Sequence, residues 1–117
     1  MKTVKASVEQ HFEGRHPVVR AIYDRLLAAA RRLGEVEEDP KQTSIHWNRV
    51  SAFAGVATRK EGLILTLKST QDMKSPRIRK HEKASARRWY LYIPLAAPSD
   101  VDAELKAWMQ GPGKPAR

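Results

Sequence analysis

The hydrophobic period of this chain changes at Gly34, and that change decides its fold class. Before it, Val19, Ile22, Tyr23, Leu26, Ala30 and Leu33 recur at the spacing of an amphipathic helix. Pro17 suits the first turn of that helix, and Gly34 is a natural stop. Arg20, Asp24, Arg25, Arg31 and Arg32 fall largely on its other face. Beyond Gly34, Thr43, Ile45 and Trp47 alternate with Ser44, His46 and Asn48, the period of a half-buried strand. A helix followed by strands joined through short turns makes an α+β domain with an antiparallel sheet.

The remaining elements follow the same logic. Ser7-Val8-Glu9-Gln10 has the form of a capping box opening a short helix that ends near Phe12 and Gly14. Ala52 to Thr58 reads as a second strand. Leu63 to Leu67 is the most apolar strand, and apolar residues on both its faces place it centrally with cover on both sides. Asn48-Arg49 and Arg59 to Gly62 are the short turns between these strands. Trp89, Leu91, Ile93 and Leu95 mark a further strand. Ser99-Asp100-Val101-Asp102 opens a last helix with its acids where the helix dipole favours them, and Val101, Leu105, Trp108 and Met109 form its buried stripe. The expectation is a four- to five-stranded antiparallel sheet packed against two main helices, with a short N-terminal helix. Phe12, Ile22, Leu26, Phe53, Leu63, Leu65, Trp89, Leu105 and Trp108 supply much of the expected core. Residues 1–110 form one domain in this reading, and 111–117, rich in Gly and Pro, a flexible tail.

At 117 residues the chain holds one domain, long enough to bury a core without staples. It has no cysteine, which removes disulfides, thiolate nucleophiles and cysteine-ligated zinc and suits a reducing, cytoplasmic setting. No apolar stretch follows Met1-Lys2-Thr3-Val4-Lys5, so a secretory leader is not expected, and the longest apolar runs are too short to span a bilayer. The net charge is +9 and it is concentrated. Lys74, Arg77, Arg79, Lys80, Lys83, Arg87 and Arg88 face only Glu82 within one short segment. That segment runs from Lys74 to Arg88, and most of it falls in Gln71 to Ala86, which has no apolar period and reads as a functional surface loop, a partly disordered stretch, or a short helix around Arg79 to Ser85.

Asp39-Pro40-Lys41-Gln42-Thr43-Ser44-Ile45, Phe53-Ala54-Gly55-Val56 and Ser75-Pro76-Arg77-Ile78 carry a resemblance. From Val8 to Met109 the chain resembles an uncharacterised bacterial family of small α+β modules, a domain of unknown function, some of whose members are labelled predicted transport protein. It is more distantly similar to the YdhG-like domains. The resemblance implies a compact α+β fold. It brings no reaction, cofactor or catalytic residue.

Clustered Lys and Arg reward a polyanion, because each neutralised phosphate releases condensed counterions. Arg87, Arg88, Trp89, Tyr90 and Tyr92 set guanidinium groups beside aromatic rings, a mixture that grips a backbone and stacks on bases. The segment therefore reads as a binding site for nucleic acid or another anionic partner such as an acidic protein. The plainer reading is a solvated loop with Trp89 in the core. A second function class is a small-ligand or accessory interaction domain with a pocket between sheet and helix, and Lys41, Thr43, His46 and Arg79 are the candidates for its rim. Turn chemistry and edge protection by lysine account for the same residues. A third is an enzyme using carboxylates near Glu38 with His46, set against exposed edge acids and a surface histidine. The histidines lack metal-site spacing, and there is no nucleophile elbow, phosphate-cradling glycine loop or dinucleotide fingerprint. No catalytic residue, metal site or cofactor is assigned.

Overall fold

The computed structural model describes residues 7–49 and 52–110. The residues expected as the tail, 111–117, lie outside them. A 3₁₀ turn at Glu9–Phe12 leads into α1, Pro17–Leu33. Six strands follow: β1 Glu37–Pro40, β2 Ile45–Asn48, β3 Ala52–Thr58, β4 Leu63–Ser69, β5 Lys80–Ser85 and β6 Arg88–Leu95. A second 3₁₀ turn, Pro98–Asp100, precedes α2, Ala103–Gln110. The α+β class stands.

All six strands form one antiparallel sheet in the order β1-β2-β3-β4-β6-β5. The expected count of four or five is thus too low, and both extra strands are edges. β5 runs where a loop or short helix was expected. Its six residues are all exposed, so it buries no face and carries no apolar alternation. Backbone pairing to β6 makes it a strand. β1 is hidden in the acidic cluster because Glu37-Glu38-Asp39-Pro40 offers no apolar alternation.

Helix α1 is built as its sequence reads. The His16 side chain caps it by accepting from the Val18 N–H at 3.0 Å, ahead of Pro17. Gly34 ends it at φ +156°, and a Cβ there would stand 3.0 Å from the Arg49 guanidinium. Ile22, Tyr23, Leu26 and Ala30 are buried in one cluster with Ile45, Trp47, Val56, Leu65, Leu91 and Ile93 of the sheet, and Val19 is buried as well. Val101 and Leu105 close the same core from α2 and its approach. Phe12, Phe53, Trp89 and Trp108, expected inside, are only partly buried and pack around its margin. Tyr23 and Trp47 occupy the centre instead. Trp47 Nε1 donates to the Tyr23 hydroxyl at 3.0 Å, and Tyr23 donates to Glu38 at 2.5 Å. A buried aromatic pair with polar edges is tolerable only when those edges find partners.

The cover on both sides of β4 is a further correction. Burial alternates strictly along β4, with Leu63, Leu65 and Leu67 buried and Ile64, Thr66 and Lys68 half-buried. The helices pack on one face of the sheet, and the other face is open. Gly62, in the turn that enters β4, shows how closely β4 and β6 meet. A Cβ on it would come within 2.6 Å of the Leu95 carbonyl oxygen.

Candidate nucleic-acid interface

The basic segment divides into two parts with different chemistry. In the first, Ser75 organises a turn: its Oγ accepts from the Arg77 N–H at 3.1 Å and its carbonyl from the Ile78 N–H at 3.1 Å. Pro76 fits the second position of such a turn, and Ile78 is driven into the core. Arg77 is thereby aimed at the last helix. Its guanidinium donates to both carboxylate oxygens of Asp102 (3.0 and 3.2 Å), to Glu104 (3.0 Å) and to the Asp100 carbonyl (2.8 Å), and lies 5.6 Å from the Trp108 ring centre. Burial works against its charge, but Asp102 and Glu104 outweigh that and raise its pKa. Asp102 is held below the usual carboxylate range by the Leu105 N–H and then by Arg77. Arg77 therefore clasps α2 and leaves the set of candidate binding residues. Partners lying so far along the chain are invisible to local sequence patterns.

The second part is the β5–β6 hairpin. Arg79, Lys80, Lys83, Arg87 and Arg88 are exposed on it, and none forms an ion pair among the described residues. Lys74, also exposed, lies on the connection leading to it. Pairing of Lys80 with Tyr92 and of Lys83 with Trp89 sets each ammonium over a ring, at 5.1 and 5.8 Å from the centres. Glu82, the one acid here, accepts from the Tyr92 hydroxyl at 2.7 Å. That bond, with some burial, pushes the Tyr92 pKa up to about 12. His81 meets Asp72 at 2.6 Å, ties the start of β5 to the preceding connection, and holds the Asp72 carboxyl below its ordinary value.

The expected pocket rim does not assemble. Lys41 sits in the β1–β2 turn with its ammonium 3.0 Å from Asp39, and Thr43 lies in that same turn. Arg79 is across the sheet, just ahead of β5. Only His46 borders a hollow, one of about 310 Å³ on the open face, with Phe53, Gly55, Thr66, Lys68 and Tyr90 among its other walls. The space between sheet and α1 is occupied by the side chains of the core. Lys68, Thr66 and Tyr90 were missed because only strand register brings them together. Their outward alternation along two strands was the available signal. The carboxylate–histidine combination also comes apart. Glu38 pairs with Trp47 and bonds Tyr23 on the helix-covered face, whereas His46 pairs with Asp39 and faces the other way. His11 meets the Lys41 carbonyl at 2.8 Å, and among the described residues no three His, Asp or Glu side chains group as metal ligands.

An exposed basic hairpin at the edge of a six-stranded sheet, beside an open face, defines a small α+β domain with one helix-covered and one free surface. The chain belongs to the family described as a domain of unknown function (DUF5655), which matches residues 8–111. Comparison with curated proteins and with solved structures yields no match. No helix among the described residues is long and apolar enough to cross a membrane.

Proposed function

We propose that this domain is a non-enzymatic binding module that docks nucleic acid through the β5–β6 hairpin. One observation carries the reading: five cationic side chains between Arg79 and Arg88 stand on an exposed edge with no carboxylate paired to them among the described residues. Glu82 is engaged with Tyr92, so the local field is positive. A polyanion gains by displacing counterions along such an edge, and the rings of Trp89 and Tyr92 hold two of the ammonium groups in place. Lys74 extends the positive surface. A cytoplasmic setting suits this partner, as it suits a chain without cysteine.

The test is fluorescence anisotropy with labelled single- and double-stranded probes at two salt concentrations. Affinity is expected to fall steeply with salt, by about 0.7–0.9 in the log–log slope for each phosphate contacted. Changing Lys83, Arg87 and Arg88 together to Ala should weaken binding to both probes and flatten that slope. Because all three are exposed, the folded state should keep its stability within about 0.5 kcal/mol per site. Flat signals up to high micromolar protein would sink the reading.

A further inference from the structure

The hollow on the open face is built differently from a gap in packing. Its floor is Gly55, at the middle of β3. A Cβ on Gly55 would meet only His46 Cδ2 and the Ile45 carbonyl, both at 3.8 Å, which is ordinary contact. Its backbone is not in the left-handed region either. Neither chain conformation nor crowding demands glycine here. What its lack of a side chain does is deepen the hollow, as glycine in a strand does where a ligand approaches the backbone.

Register sets out the rest. His46 pairs with Gly55, Gly55 with Thr66, Thr66 with Tyr92 and Tyr92 with Lys80, so these five residues cross the open face in one row. Lys68 pairs with Tyr90 in the next row. Rings and ammonium groups thus share one face, and Lys80 belongs both to it and to the basic hairpin. The two carboxylates nearest the row are held, Glu82 accepting from Tyr92 and Asp39 pairing with Lys41, and Glu37 stands further off on the far edge strand.

Resting on the hairpin reading, we propose that the open face of β3, β4 and β6 selects single-stranded nucleic acid. One unstacked base sits over Gly55 against Tyr90 and His46, with phosphates at Lys68 and Lys80. A duplex hides the faces of its bases in its own stack, whereas an open sheet face with half-buried rings offers a surface to bases that are splayed out. The hollow, about 310 Å³, lies at the lower end of ligand-sized cavities and suits one planar group. Continuity with the hairpin and the positive charge of Lys68 and Lys80 favour a polyanion over an apolar partner.

The experiment uses the full chain, with a labelled dozen-nucleotide strand, the duplex of the same sequence, and sedimentation to follow oligomeric state. Gly55→Leu fills the hollow from a position where a side chain has room, and Tyr90→Ala removes the ring. Each should lower single-strand affinity about tenfold or more while duplex affinity and its salt slope stay unchanged. Tyr90→Phe, which keeps the ring, should bind like the natural chain, and circular dichroism should report an unchanged fold for all three. Equal loss on strand and duplex, or no loss with Gly55→Leu, would overturn the assignment of the face and leave the hairpin reading intact. A dimer that Gly55→Leu dissociates, or binding to anionic vesicles that Gly55→Leu abolishes without an effect on the strand, would also overturn it. Absence of binding to either probe by the natural chain defeats the hairpin reading first, and this inference with it.

Discussion

The two edges of the sheet solve the same problem in opposite ways. β1 is acidic and turned inward: Glu38 bonds Tyr23, which bonds Trp47, and Arg31 lies 3.7 Å from the same carboxylate. Asp39 is held below the usual carboxylate range, chiefly by its hydrogen bond to Lys41, and Pro40 ends the strand. β5 is basic and turned outward. All its side chains are exposed, and its ties are the ladder to β6, the His81–Asp72 contact and the Glu82–Tyr92 bond. Both edges resist pairing with another sheet, one by proline and internal bonds, the other by lysine. The second leaves most of its charges available to a partner, whereas the first engages Glu38 and Asp39 and leaves Glu37 alone without an ion pair among the described residues. An edge anchored in the core contributes to stability, and an edge held by backbone pairing and a few surface bonds is free for recognition.

The sharpest way to break this contrast is at the anchor. Trp47→Ala empties the centre of the core beneath β1 and β2 and should cost about 3–5 kcal/mol, read from the denaturation midpoint. A change near zero would mean that β1 has no anchor. Tyr23→Phe leaves Trp47 Nε1 and Glu38 without their shared partner and should cost about 1–3 kcal/mol. It should also change the alkaline limb of stability. Burial first, and then Glu38, raise the Tyr23 pKa above its ordinary value near 10. The unfolded chain therefore loses this proton before the folded one. The stability that the raised pKa contributes is complete below about pH 10 and declines as pH climbs through the folded value. Tyr23→Phe should remove that share of the decline, which a denaturation series in pH would reveal.

Arg77→Ala separates the structural cation from the exposed ones. It should lower stability by about 1–2 kcal/mol through the loss of the α2 clasp, while affinity for nucleic acid stays unchanged. A loss of affinity without a loss of stability would return Arg77 to the interface. The smallest effect belongs to Asp72→Asn at the start of β5. Hydrogen bonding to His81 depresses the Asp72 pKa, so its contribution holds above the unfolded value, about pH 4, and is lost as pH falls through the folded one. The melting temperature should drop slightly at neutral pH and match that of the natural chain in acid. A drop as large as that of Tyr23→Phe would show that β5 is anchored as β1 is.

Much of the fold was legible where burial writes a period. α1 could be read from Val19 to Leu33, β4 and β6 from their alternation, and the capping box from Ser7 and Gln10, whose reciprocal bonds form at 2.9 and 3.3 Å. The edges were not legible, because neither the solvated residues of β5 nor the acidic ones of β1 write an apolar period. The candidate site was legible as a concentration of charge. That one of its seven cations, Arg77, is engaged elsewhere depends on Asp102 and Glu104, which no local pattern connects to it.

By itself, then, the sequence determined the α+β class, the helix that covers the sheet, and the segment in which most of the net charge lies, since periodicity and composition are local properties. Tertiary structure decided that this segment is an edge strand, which of its cations are unpaired, and that Gly55, Lys68 and Tyr90 share an open face. Strand register and the pairing of distant side chains belong to the folded chain, and register alone turns a basic loop and scattered aromatic residues into one continuous surface.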